Sequence, residues 1–187
     1  MIIKEYKTIF IHIPKNAGTS IEEYFMLRRT QLAIQHGRHD TIEQIKLKYP
    51  DIYNSYKKFA IIRNPYDRMV SWYFYTKNNV LKEINKGWKV VDFKCWLKDP
   101  SKLWNFKDPL SLLNCQCDWV DDTVSILKFE NLSKDINNFF NTEIKLPVLN
   151  KTKHKYYLDY YDEESIELVN KKYKKDFKKY NYEKINI

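Results

Sequence analysis

The feature that most constrains this chain is the run Phe10-Ile11-His12-Ile13-Pro14-Lys15-Asn16-Ala17-Gly18-Thr19-Ser20. Ile9, Phe10, Ile11 and Ile13 form the β-branched and aromatic pattern of a buried parallel strand. Pro14 ends it. Gly18 lets the backbone bend and present N–H groups where a Cβ would obstruct an anion. Thr19 or Ser20 is expected to cap the helix that follows, on which Ile21, Tyr24, Phe25 and Met26 fall at helical spacing. A strand running into a helix N-terminus brings free amides, a positive dipole end and the Lys15 ammonium to one point, which describes a phosphate cradle. The same residues also fit an ordinary strand-to-helix turn. The order is not that of a Walker A loop, whose lysine follows the second glycine, because Lys15 precedes Gly18.

A second buried-strand pattern, Phe59-Ala60-Ile61-Ile62, runs into Arg63-Asn64-Pro65-Tyr66-Asp67-Arg68. Asn64 is a good N-cap, Pro65 suits the first helical position and Asp67 falls in the first turn. Val124 to Phe129 gives a third strand, followed by a helix through Ile136, Phe139 and Phe140. Strands alternating with helices predict an α/β fold, a P-loop-like parallel β-sheet flanked by helices in one domain over 1–187. Between the first two strands, Arg28 to Arg38 reads as a loop. Thr41 and Gln44 then form a capping-box pattern for a helix through Ile42, Ile45 and Leu47 that ends near Pro50. The Trp- and Lys-rich segment from Lys77 to Asp118 is assigned to acceptor-binding loops. The last helix carries Asp162, Glu163 and Glu164 at its start, an apolar stripe of Ile166, Val169, Tyr173 and Phe177, and lysines at its end.

The balance of 33 Lys and Arg against 24 Asp and Glu leaves a formal net charge of +9, which favours anionic partners without naming them. Lys171, Lys172, Lys174, Lys175, Lys178 and Lys179 hold much of the excess, and we read them as a solvated helix face rather than a polyanion site. No signal-peptide pattern and no long apolar run is present, so a cytoplasmic chain without stable membrane insertion is expected. Cys95, Cys115 and Cys117 do not form a disulfide framework, and a lone Cys-x-Cys is a poor zinc site.

Two loops that follow buried strands thus present anion-binding groups, Lys15 to Ser20 and Arg63 to Ser71. Here the sequence resembles the carbohydrate sulfotransferases that use PAPS, the 3′-phosphoadenosine 5′-phosphosulfate donor. Their signature is a strand followed by P-K-x-x-G-T-S and, downstream, R-N-P-x-x-R-x-x-S. The two motifs are Pro14 to Ser20 and Arg63 to Ser71, with weaker echoes at Gln116, at Phe129-Glu130-Asn131-Leu132 and at Asn150 to His154. The membrane anchor of the family's Golgi members has no counterpart in this sequence, which suggests a compact bacterial or viral relative.

The resemblance implies that Lys15 and the amides of Asn16, Ala17, Gly18, Thr19 and Ser20 hold the 5′-phosphosulfate. It assigns the 3′-phosphate to Arg63 and Ser71, and the basic loop with Lys153 to closing over the nucleotide. It further implies a carbohydrate hydroxyl as acceptor and no nucleic-acid partner. No acidic metal cluster is evident, so no metal is expected to be required. For the base, His12 reads as a core residue and His154 is disfavoured by its neighbouring lysines, which leaves His36 and His39. His39 is chosen because it precedes the capped helix at Thr41 and because Asp40 could orient its ring. An unperturbed imidazole titrates near pKa ~6.5. Two rival readings are a nucleotide phosphotransferase, which would need Mg²⁺ and a carboxylate to hold it, and a non-catalytic polyanion-binding module.

Overall fold

The computed structural model describes residues 1–27, 33–34, 39–82, 89–103, 113–149 and 154–187. In chain order the elements are β1 (Ile2–Ile3), β2 (Thr8–Ile11), α1 (Gly18–Tyr24), β3 (Ala33–Ile34), α2 (Ile42–Lys48), α3 (Pro50–Ser55), β4 (Lys57–Ile62), α4 (Pro65–Lys82), α5 (Phe93–Lys98), β5 (Ser125–Lys128), α6 (Leu132–Phe140), α7 (Glu163–Lys172) and α8 (Lys174–Tyr180). The fold is α/β, with a mostly parallel sheet flanked by helices. The residues group into two compact units, one of Met1–Arg63 with Gln116–Lys151 and one of Asn64–Cys115 with Thr152–Ile187.

The first unit holds the sheet, in the order β3-β1-β2-β4-β5. The three strands foreseen from sequence are its parallel part: β2 pairs with β4 and β4 with β5, with Phe10 opposite Phe59 and Ile61 opposite Leu127. Successive residues Ile9, Phe10 and Ile11, and Phe59 through Ile62, are all buried, as a parallel strand covered on both faces requires. Each large side chain buried there contributes about 1.5–3 kcal/mol, and Phe10 stacks on Phe59 with centroids 4.9 Å apart. In this register Ile11 stands opposite Ala60, and the chain leaves the sheet there on its way to Lys15.

Two departures from the sequence reading occur here. Ala33–Ile34, inside the stretch assigned to a loop, pairs antiparallel with β1. A two-residue strand is too short to show a periodicity. Helix α2 keeps its expected Thr41–Gln44 capping box, but Leu47 is 82% exposed and Pro50 opens a separate helix, α3.

The second unit has a helical, aromatic core that includes Tyr66, Met69, Tyr73, Phe93, Trp96, Val169, Tyr173 and Phe177. Helix α4 starts as expected, with Asn64 Oδ1 accepting the Tyr66 N–H at 3.0 Å and Pro65 as the first helical residue. The stretch read as irregular from Lys77 onward contains the rest of α4 and α5, with Trp96 buried. The final helix is interrupted at Tyr173 and becomes α7 and α8. Tyr173 is fully buried there, and its hydroxyl donates to the Leu113 carbonyl at 2.9 Å. The six lysines of the run are all exposed, in keeping with a solvated face. Among the described residues no helix is long and apolar enough to cross a membrane.

Candidate functional site

Strand β2 ends at Ile11, and the chain then turns through Lys15 to Ser20. Lys15 and Ala17 adopt left-handed backbone, with φ of 71° and 58°. Such positions in an L-residue are uncommon and carry a cost that the surrounding fold must offset. Helix α1 begins at Gly18, earlier than expected, with Ala17 as its N-cap. Neither Thr19 nor Ser20 fills that role, because both already lie inside the helix, and Ala17 has no side chain with which to bond the first turn. Ser20 Oγ instead accepts the Leu149 N–H at 3.4 Å.

Gly18 is required for a reason the sequence did not disclose. A Cβ built there would lie 1.7 Å from His12 Nε2 and 2.0 Å from His12 Cδ2, so the imidazole occupies the space any side chain would need. His12 is 4% exposed, and its Nδ1 lies 2.9 Å from the fully buried Glu22 carboxylate. The reading of His12 as a core residue therefore holds, and its ring is the floor beneath the loop.

Asn16, 1% exposed, turns its side chain inward. Its Nδ2 donates to the Ile61 carbonyl and to Gln116 Oε1, each at 2.7 Å. Gln116 is fully buried, accepts the Arg63 N–H at 2.9 Å and donates Nε2 to the Arg63 carbonyl at 2.8 Å. Each amide orientation is dictated by a backbone partner that can act only as acceptor or only as donor, so the network has one consistent polarity. Removing one partner of a buried bond leaves the other unsatisfied, at a cost of about 1–3 kcal/mol. The Arg63 guanidinium donates to the Lys15 carbonyl at 3.1 Å and lies over the Phe129 ring, 4.2 Å from its centroid. The start of the second motif is thereby fastened to the lysine of the first.

His39 is half-buried, and its ring centroid is 4.6 Å from that of His12. Its Nδ1 lies 3.0 Å from the His12 carbonyl. A carbonyl only accepts, so Nδ1 carries the hydrogen and Nε2 is the basic nitrogen of the neutral ring. Asp40 was expected to orient this ring, but its carboxylate accepts from Lys48 Nζ at 2.8 Å. The orienting group is the His12 backbone. Trp119 meets His39 edge-on at 6.3 Å.

Ser71 is buried on α4 in the second unit, at 7% exposure. Arg68 of the same motif is fully buried and donates to the Asn114 carbonyl at 3.1 Å, the contact of a scaffold residue. His36, Lys151 and Lys153 lie outside the described residues. Sequence reasoning named Gln116 only as a family echo. Its partner Asn16 stands 100 residues away, and no local pattern announces such a pair.

The sheet, the left-handed loop that follows its central strand and the Arg63 guanidinium bonded to that loop belong to an α/β protein in which a strand runs directly into a helix at Lys15 to Gly18. Residues 1–183 match the sulfotransferase family, and the chain belongs to it. No curated protein and no solved structure matches the chain. Membership makes it a transferase whose activity class is sulfuryl transfer to a hydroxyl-bearing acceptor.

Proposed function

We propose that the chain transfers the sulfuryl group of PAPS to a carbohydrate hydroxyl, with Lys15 at the leaving phosphate and His39 as the base. The observation that carries this reading is the Arg63–Lys15 contact. It joins two motifs separated by 48 residues, each with groups suited to an anion. The donor set fits a phosphosulfate, with left-handed backbone at Lys15 and Ala17, a helix start that no side chain caps, and the Lys15 and Arg63 cations. The amides from Asn16 to Ser20 would hold the phosphosulfate, with Arg63, Ser71 and Lys153 toward the 3′-phosphate.

When bound, the donor supplies an electrophilic sulfur whose bond to the phosphate oxygen breaks as the acceptor oxygen attacks. Lys15 places its charge where negative charge grows on the leaving phosphate, and a positioned cation acts more strongly there than on the ground state. His39 Nε2 takes the acceptor proton. Its ring is held at the His12 carbonyl, three residues before Lys15, so the strand that delivers the lysine also anchors the base. No metal enters this scheme.

The test is transfer of labelled sulfate from PAPS to a panel of glycans, with Lys15→Ala beside the wild type. Loss of one such stabilising donor is expected to lower kcat by about 10²–10³-fold, while affinity for the product PAP (3′-phosphoadenosine 5′-phosphate) falls less. Unchanged kcat would remove Lys15 from the leaving oxygen. Transfer only to non-carbohydrate hydroxyls would replace the acceptor class.

A further inference from the structure

The Gln116 side chain belongs to neither motif, yet its amide touches both. It is fully buried and receives Asn16 Nδ2 at 2.7 Å from the lysine loop. Toward the arginine it makes a two-bond pair with the backbone, accepting the Arg63 N–H at 2.9 Å and donating to the Arg63 carbonyl at 2.8 Å. This pair sits where β4 has just ended at Ile62, so a side-chain amide continues the hydrogen bonding that the sheet no longer supplies to residue 63.

Asn16 is committed in the same way. Its Nδ2 also donates to the Ile61 carbonyl, two residues before Arg63. The peptide of the lysine loop is therefore tied to β4 directly, and through Gln116 to the residue that carries the guanidinium. Arg63 closes the circuit by donating Nη1 to the Lys15 carbonyl at 3.1 Å. The closed path of Lys15, Asn16, Gln116 and Arg63 runs through buried bonds at Asn16 and part-buried bonds at Arg63, with their polarity set by backbone groups.

We infer that Gln116 is a positioning residue that holds the two anion-binding loops in register, so that one ligand with two anionic groups binds better than either group predicts alone. The inference rests on the donor reading above. Gln116 touches no reacting atom in this scheme; it acts through Asn16 and Arg63. Its loss uncouples the loops and leaves each able to bind a single phosphate.

Calorimetric titration of the full chain with PAP, adenosine 3′-monophosphate and adenosine 5′-monophosphate reads this coupling. In Gln116→Leu, which keeps the bulk and removes the side-chain bonds to Asn16 and Arg63, the advantage of PAP over either monophosphate should shrink by about 5–150-fold, the usual range of a coupling between sites. Affinities for the two monophosphates should change little. A residue that only supported the fold would lower the melting temperature and leave that ratio intact, and this result overturns the inference. A wild type that bound PAP no better than the monophosphates would overturn the donor reading and the inference together. A wild-type advantage that survives in Gln116→Leu overturns the inference alone. Should Gln116→Leu fail to fold, Gln116→Glu is read instead. It is nearly isosteric, keeps the acceptor facing Asn16 Nδ2 and the Arg63 N–H, and sets an oxygen against the Arg63 carbonyl. The same ratio decides, with a smaller shrinkage expected.

Discussion

The two compact units solve the problem of buried polar groups differently. In the first, the fasteners are amides, imidazoles and a guanidinium. Asn16, Gln116, His39 and Arg63 all bond backbone at the exits of β2 and β4. In the second, they are largely phenols spread through an aromatic core. Tyr73 donates to the Val91 carbonyl at 3.0 Å, Tyr161 to the Tyr66 carbonyl at 2.9 Å and Tyr173 to the Leu113 carbonyl at 2.9 Å. Burial raises the Tyr161 and Tyr173 hydroxyls above the ordinary range, so both stay neutral donors. A phenol adds bulk and one hydrogen bond, which suits a scaffold. Amides and charged groups offer several directed bonds, which suits loops held in unusual backbone. Substitutions in the first unit should therefore change function ahead of stability, and those in the second should do the reverse.

The largest effect that would sharpen this contrast is expected at His39. His39→Ala should lower kcat by about 10²–10⁴-fold with little change in PAP affinity. An unchanged rate in steady-state assays would pass the role to another group and blur the distinction between the units.

Tyr173→Phe is the counterpart in the second unit. It strands the buried Leu113 carbonyl, and denaturant unfolding should show a loss of about 1–3 kcal/mol with kcat retained. A variant of unchanged stability but reduced turnover would reverse the assignment of scaffold and site.

The smallest effect concerns the surface of the second unit. Lys94 bonds Asp162 at 2.7 Å and Glu164 at 2.6 Å, and Lys98 also reaches Glu164. These bonds hold both carboxyls below the usual carboxylate range, first through Lys94 in each case. A lowered folded pKa gives stability that is present above the unfolded value and lost as pH falls through the folded one. Thermal melts of the wild type should therefore decline below about pH 4, and Lys94→Met should flatten that decline slightly, because exposed pairs are screened. An equally steep decline in Lys94→Met would take the pair out of the acid response.

What the sequence disclosed follows the same division. Strands β2 and β4 were legible because burial on both faces leaves continuous apolar runs, and β5, at the sheet edge with only Leu127 buried, was legible from the apolar residues Val124, Ile126, Leu127 and Phe129. The starts of α2 and α4 were legible because Thr41, Gln44, Asn64 and Pro65 act on backbone within three residues. The start of α1 was misplaced, since Ala17 supplies a left-handed position that no propensity favours. The break at Tyr173 was hidden because Val169, Tyr173 and Phe177 keep helical spacing across it. Of the candidate site, Lys15 and Arg63 were visible as motif residues, while the bonds from Asn16 to Gln116 and from His39 to the His12 carbonyl depend on long-range packing.

The contact of His12 with Gly18 has one more consequence. Positions 12 and 18 share a single side chain's volume, and the chain has assigned it to the imidazole. The bend of the lysine loop is therefore cast on a mould made of protein, and its shape is set by the packing of the chain itself.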